Sequence, residues 1–166
     1  MAVLKLTTFP DKLLKQKTRE VFRITDEDRR LVEDMIETMY AEHGVGLAAN
    51  QVGVSKRIFV ASADQVRGKE LVFFNPRIVR REGAVKEFEG CLSVPECFEP
   101  VRRAKCVWLQ GMDLNGESVE FKAEGLLARI FQHETDHLNG FLFIDRLGFI
   151  KSKLTRKALL KRKTAR

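Results

Sequence analysis

The chain has no run of about 18 or more consecutive apolar residues, which excludes an ordinary membrane-spanning helix. Its opening segment, Met1 to Pro10, lacks the charged start and long apolar stretch of a secretory signal. Nor is it Arg- and Ser-rich in the manner of an organelle transit peptide. The default compartment is therefore the cytoplasm, with an organelle as the alternative for a processed form. Cysteine is scarce: Cys91, Cys97 and Cys106 are an odd number without an export signal. Reduced thiols are expected, not a disulfide framework. Internal repeats, low-complexity linkers and composition breaks are also missing, so the body reads as one domain able to bury its own core.

Acid is absent from residues 151–166, which carry Lys151, Lys153, Arg156, Lys157, Lys161, Arg162, Lys163 and Arg166. The rest of the chain holds 22 basic and 23 acidic residues, so the net charge of +7 belongs to this tail. A tail of that kind can be drawn to polyanions such as RNA, or can serve as a solvated helix that keeps the protein soluble. The expected division is a catalytic body over 1–150 and a basic C-terminal helix or tail over 151–166.

Periodicity gives the elements. Residues 25–42 read as a helix, with Thr25 as cap, Asp28 in capping-box position and Leu31, Val32, Met35, Ile36 and Met39 as the apolar stripe. Gly44 and Gly46 are expected to end it. Short strands are expected at Arg57–Ala61, Leu71–Phe74, Lys105–Gln110 and Ser118–Lys122, the last two joined by an Asn115-Gly116 turn. A second helix is expected from Glu124 to about Leu138, stopping at Asn139-Gly140, and a third in the basic tail, where Leu154, Ala158 and Leu159 share a face. The fold class is α+β, with a mixed or antiparallel sheet packed around a central second helix.

Only three histidines occur, and two of them lie in His133-Glu134-Thr135-Asp136-His137. On a helix, residues four apart share a face, so both imidazoles can reach one cation and Glu134 can approach water beside it. Leu126 and Ile130 extend that face, which is expected to be buried. A catalytic site of this type takes three protein ligands and keeps one position open. The third is not downstream: Phe143 stands where some peptidases place another histidine, and no Glu follows His137. Upstream, Cys91 stands out between Gly90 and Pro95. A thiolate with two imidazoles suits Zn or Fe(II) among other ions. The competing role for Cys91 is a nucleophile activated by histidine, which leaves the H-E-x-x-H spacing without a purpose. Cys97 and Cys106 read as core or surface thiols, and His43 as structural. The small-residue segment Gly44 to Gln51 lacks a Lys-Ser/Thr ending, so it is no P-loop; alone it reads as a tight turn into a packed strand.

Taken together, Gly44–Gln51 (G-x-G-L-A-A-x-Q), Glu89–Ser93 (E-G-C-L-S) and Gln132–Gly140 (Q-H-E-x-D-H-L-x-G) resemble the peptide deformylase family, in order and without a mismatch at a fixed position. Thr8-Phe9-Pro10-Asp11 is similar to the family's usual start, and the likeness spans about residues 4–150. The resemblance implies removal of the formyl group from the N-terminal formylmethionine of nascent polypeptides. It implies Cys91, His133 and His137 as metal ligands, Glu134 as catalytic acid–base, and Gln51 and Leu92 as oxyanion donors. It further implies one divalent ion, Fe(II) first, with Zn, Ni or Co accepted. In the substrate pocket, Leu126 and Ile130 are candidates for taking the methionine side chain, and Gly46 for shaping the crowded site around the small formyl group. The segment 97–103, where the family positions substrate backbone, offers no fixed motif to match. Two other readings remain at this point: a general H-E-x-x-H metallopeptidase, and a catalytically idle relative that binds RNA or the ribosome through its basic tail.

Overall fold

The computed structural model describes residues 2–164. Met1 and Arg166, the latter counted in the basic tail, lie outside the described residues. The order is α1 (Asp26–Ala41), β1 (Gly46–Ala48), β2 (Ile58–Ala61), β3 (Leu71–Glu82), β4 (Val85–Cys91), β5 (Val94–Arg103), β6 (Cys106–Met112), β7 (Ser118–Glu124), α2 (Gly125–Leu138) and α3 (Phe149–Thr164). Strands β1, β2, β3, β6 and β7 form a five-stranded sheet in that order, and β4 pairs with β5 in a separate hairpin. All pairings within the two sheets are antiparallel.

The sheet is covered on both faces, and the strand sequences show why. Ile58-Phe59-Val60-Ala61 is an unbroken apolar run, buried throughout. Strand alternation sends Ile58 and Val60 to the side of Val32, Met35 and Met39 of α1, and Phe59 and Ala61 to the side of Ala128, Ile130 and Phe131 of α2. Phe59, Phe73, Phe121 and Phe131 interlock under α2 with ring centroids 5.1–6.3 Å apart. Such pairs add about 0.5–1.5 kcal/mol each beyond area burial, and here they fix how α2 lies on the sheet. A third apolar cluster, including Leu14, Val94, Val101, Leu142, Phe143 and Ile144, binds the β4–β5 hairpin to the chain that follows α2.

Thr25 caps α1 in a reciprocal capping box with Asp28, as the sequence predicts. The C-terminus of α2 is anchored from several directions. Asn50 donates through Nδ2 to the His137 carbonyl (2.6 Å), while Thr18 donates through its backbone N–H and hydroxyl to the Leu138 carbonyl (2.9 and 3.0 Å). Gly140 follows at φ +80°, and a β-carbon there would lie 2.6 Å from the Lys15 carbonyl oxygen. Only glycine lets the chain leave α2 along this path.

Three expectations are corrected. Gly46 opens β1 instead of ending the preceding helix. The β4–β5 hairpin, absent from the sequence reading, occupies residues 85–103. The tail charges are not all unopposed: Lys151 pairs with Glu99 (2.5 Å) and Arg156 with Asp145, holding α3 against the body.

Candidate active site

Two elements far apart in sequence bring their side chains to one point. Helix α2 presents His133 and His137, whose Nε2 atoms are 3.2 Å apart. The end of β4 presents Cys91, its Sγ 3.1 Å from His137 Nε2. Among the described residues, Cys91, His133 and His137 form a group able to hold a metal ion, with ligand atoms all within 4.8 Å of one another. An ion bound tetrahedrally, about 2.3 Å from sulfur and about 2.0–2.1 Å from nitrogen, needs ligand atoms about 3.3–3.6 Å apart. The donor set and its spacing fit such an ion.

The orientation of His133 is set from behind. Its Nδ1 lies 3.0 Å from Glu89 Oε2, so Nε2 faces His137 and Cys91. Arg103 donates to both oxygens of Glu89, at 2.8 and 3.0 Å, and reaches Asp136 Oδ2 at 2.5 Å. Arg146 closes the chain, donating through Nε to the same Asp136 oxygen at 2.9 Å. Burial alone would raise the Glu89 carboxyl, but His133 and Arg103 outweigh it and hold its pKa at about 2. Glu89 therefore stays ionised as the acceptor behind the imidazole.

Glu134 points the other way, into a cavity of about 520 Å³ that Gly46, Gln51, Cys91, Leu92, Ile130 and His133 also line. Its carboxyl is nearly buried, and Oε2 has no hydrogen-bond partner among the described residues. Desolvation is the main cause raising its pKa to about 7, with His133 opposing and Glu89 adding to the rise. A carboxylate so placed can take up and return a proton near neutral pH.

Gln51 is aimed by the backbone. The Ala48 N–H donates to its Oε1 at 2.8 Å, which turns Nε2 toward Ser93 Oγ (3.2 Å) and Cys91 Sγ (3.6 Å). Leu92 occupies the first corner of the turn whose closing pair is Cys91 with Val94. Its backbone N–H lies outside that pair, beside the cysteine.

Each site residue named from the sequence thus lies at this cavity or in the ligand cluster; Gly46, Leu126 and Ile130 all line its wall. One expectation changes. Leu126 is 42% exposed while Ile130 is 4% exposed, so the helix face is buried only over its last turns. Leu126 stands at the cavity's open edge. The ionic support of Glu89, Arg103, Asp136 and Arg146 was not assigned from sequence. Glu89 and Asp136 stand inside the matched segments, but nothing local tells a buried ion pair from a solvated one. Cys97 is buried in the third apolar cluster, and His43 is exposed at the cavity.

The family model described as polypeptide deformylase matches residues 3–153. A peptide deformylase of Tolumonas auensis is 43% identical over 161 residues, covering 97% of this chain and 96% of that protein. The crystal structure of a peptide deformylase from Legionella pneumophila is similar at a TM-score of 0.91 and 40% identity, covering 99% of both chains. A peptide deformylase from Ehrlichia chaffeensis, solved in complex with actinonin, is similar at a TM-score of 0.89 and 43% identity, covering 98% of both chains.

Proposed function

The chain belongs to the polypeptide deformylase family, and from that premise we propose that Cys91, His133 and His137 hold its metal ion while Glu134 moves the protons. The reaction is hydrolytic removal of the formyl group from the N-terminal formylmethionine of a new polypeptide, giving formate and a free amine. This function stands over a general peptidase or an idle relative. The observation that carries the assignment of roles is the convergence of one sulfur and two imidazole nitrogens beside a buried carboxylate whose Oε2 has no hydrogen-bond partner among the described residues.

A divalent ion held there supplies Lewis acidity, lowering the pKa of water from about 15.7 toward about 7. Glu134 takes the proton of the attacking water as oxygen adds to the formyl carbon. Gln51 Nε2 and the backbone N–H of Leu92 donate to the oxygen that becomes negative, in a site where fixed donors need no reorganisation. As the C–N bond breaks, Glu134 delivers its proton to the departing amine. Leu126 and Ile130 receive the methionine side chain, and Gly46 helps to shape the site around the small formyl group. We take Fe(II) as the native ion, with Zn, Ni or Co able to replace it. On that assignment, activity decays in air with iron and persists with nickel; equal aerobic decay of both forms refutes it.

We place the reaction in the cytoplasm. Among the described residues, no helix is long and apolar enough to cross a membrane. The basic α3 docks on the ribosome, where the substrate emerges. Exposed Lys153, Lys157 and Lys161 support this, and a pelleting assay at two salt concentrations against a chain ending at Ile150 tests it.

The central experiment compares formyl-Met-Ala-Ser with Met-Ala-Ser, using anaerobically purified protein of known metal content. Formate release without peptide-bond cleavage, in proportion to bound metal, is expected. Cleavage of the unformylated peptide, or bound metal without formate release, refutes the reading.

A further inference from the structure

A second cavity, of about 390 Å³, lies between α2, the turn from β3 to β4 and the end of β5. Its residues from α2 are Gln132 and Asp136, whereas Ile130 and Glu134 line the first cavity. At about 100° per residue, Gln132 and Asp136 each stand about 200° around the helix from Glu134. The two cavities therefore open on opposite sides of α2.

Four arginines line the second cavity: Arg81 near the end of β3, Arg102 and Arg103 at the end of β5, and Arg146 beyond α2. Two of them are answered by acids, Arg103 by Glu89 and Asp136, and Arg146 by Asp136. Arg81 and Arg102 are exposed, and neither has an acidic partner among the described residues. Like charges gathered at one concave wall repel each other, and an ordinary surface intersperses acids among them. Two unopposed guanidiniums match the charge of a phosphate dianion, and their forked N–H donors match its oxygens. No aromatic or branched apolar side chain lines this wall, so a nucleobase or a lipid tail finds nothing to pack on. The volume falls at the low end of small-molecule sites, about 300–1,000 Å³, which admits a phosphate group with a short chain attached.

We propose that this cavity is a second ligand site, which takes a small phosphate-bearing anion of the phosphomonoester class. Arg81 and Arg102 hold the phosphate at the rim, and the half-exposed Arg146 closes on it from the side. The site goes beyond the deformylase reading and does not depend on it.

The test uses the metal-loaded full chain and two probes, inorganic phosphate and glycerol 3-phosphate. Each is titrated calorimetrically at constant ionic strength, with chloride as the balancing anion. One-to-one binding is expected for both, with a raised unfolding midpoint. Arg81→Gln and Arg102→Gln should each weaken binding about tenfold to hundredfold, through loss of a charge-assisted contact. Neither arginine has an acid to lose, so without phosphate both variants should unfold no lower than the wild type. Lys69→Gln removes an equal charge from exposed surface elsewhere and should bind as the wild type does. Saturating phosphate should leave KM for formyl-Met-Ala-Ser unchanged, because the peptide and the anion lie on opposite sides of α2. No binding by the wild type overturns the proposal. So does equal weakening in all three variants, which marks general charge attraction, and so does competition with the peptide, which puts the anion at the metal. Capture of an RNA duplex through these arginines, with neither small probe bound, overturns it as well.

Discussion

The backbone of Gly46 on β1 lies against the carboxyl group of Glu134 on α2: a β-carbon built on the glycine would meet Oε1 at 2.6 Å and Ile130 Cγ2 at 2.8 Å. The close approach presses the proposed acid–base group against the first strand of the sheet, at the cavity. Gly46→Ala should push the carboxylate off its position while leaving the ligands on α2 and β4 in place. The expected result is a kcat lowered about 100-fold, as misplacement of about 1 Å can cause, with metal content unchanged. An alanine variant with wild-type kcat shows that Glu134 has room to spare and that its position is not set here.

The two roles at the centre separate by substitution. Glu134→Ala should keep the bound ion and lose about 10²- to 10⁴-fold in turnover, the usual contribution of a positioned acid–base group. Cys91→Ser should weaken metal binding itself, because a neutral hydroxyl replaces a thiolate. Metal analysis after dialysis against a chelator distinguishes them. If the serine variant retains its ion as the wild type does, Cys91 is not a ligand.

Local chemistry made part of this molecule legible in the sequence. The Thr25–Asp28 capping box, the Asn115-Gly116 turn and the helix carrying His133 and His137 each depend on residues a few positions apart. The β4–β5 hairpin stayed hidden because its pattern runs against burial. Phe88 and Phe98 face outward while Glu89 and Arg103, each 6% exposed, face inward. Hydrophobic alternation assigns each of these to the wrong side. Such reversals are expected where function overrides packing, and this one holds the ligand strand and the cavity edge. The far half of β3 was hidden for a simpler reason: Asn75-Pro76 interrupts the apolar run, charged Arg77, Arg80, Arg81 and Glu82 surround Ile78 and Val79, and only pairing with β6 makes them a strand.

Asp28 links α1 to the rest of the fold and should give a pH-dependent stability. It is buried, accepts from the Thr25 N–H (2.9 Å) and hydroxyl (2.8 Å), and pairs with Lys56 at 2.6 Å. Burial alone would raise its pKa; Lys56 and Thr25 outweigh this and lower it. A carboxyl depressed in the folded state adds stability above its unfolded pKa of about 3.9, lost as pH falls through the folded value. Asp28→Asn should therefore cost about 1–2 kcal/mol near pH 7, and the difference from wild type should shrink below about pH 4. Denaturant titrations of both proteins at equal metal loading check this. A difference that is the same at pH 3 and pH 7 excludes the carboxylate as its source.

The Glu89 carboxylate should couple stability to metal affinity. It accepts from Arg103 with both oxygens and orients His133 with one of them. Glu89→Gln keeps the volume but removes the charge. Arg103 then shares Asp136 with Arg146, leaving buried positive charge in excess. Breaking a buried pair costs about 3–5 kcal/mol, and the lower end applies because Asp136 still faces Arg103. The same change frees the His133 ring to turn, and losses of a partner behind a ligand usually weaken metal binding about 10- to 100-fold. Both effects should appear together: a lower unfolding midpoint in the metal-loaded protein, and earlier loss of the ion in chelator competition. Arg103→Lys separates them, because a lysine can neutralise Glu89 but cannot bridge both of its oxygens and Asp136. That variant should lose stability while holding the ion nearly as tightly as wild type. If Glu89→Gln binds metal with unchanged affinity, the contact behind His133 is a passive one, and the thiolate with the two imidazoles holds the ion unaided.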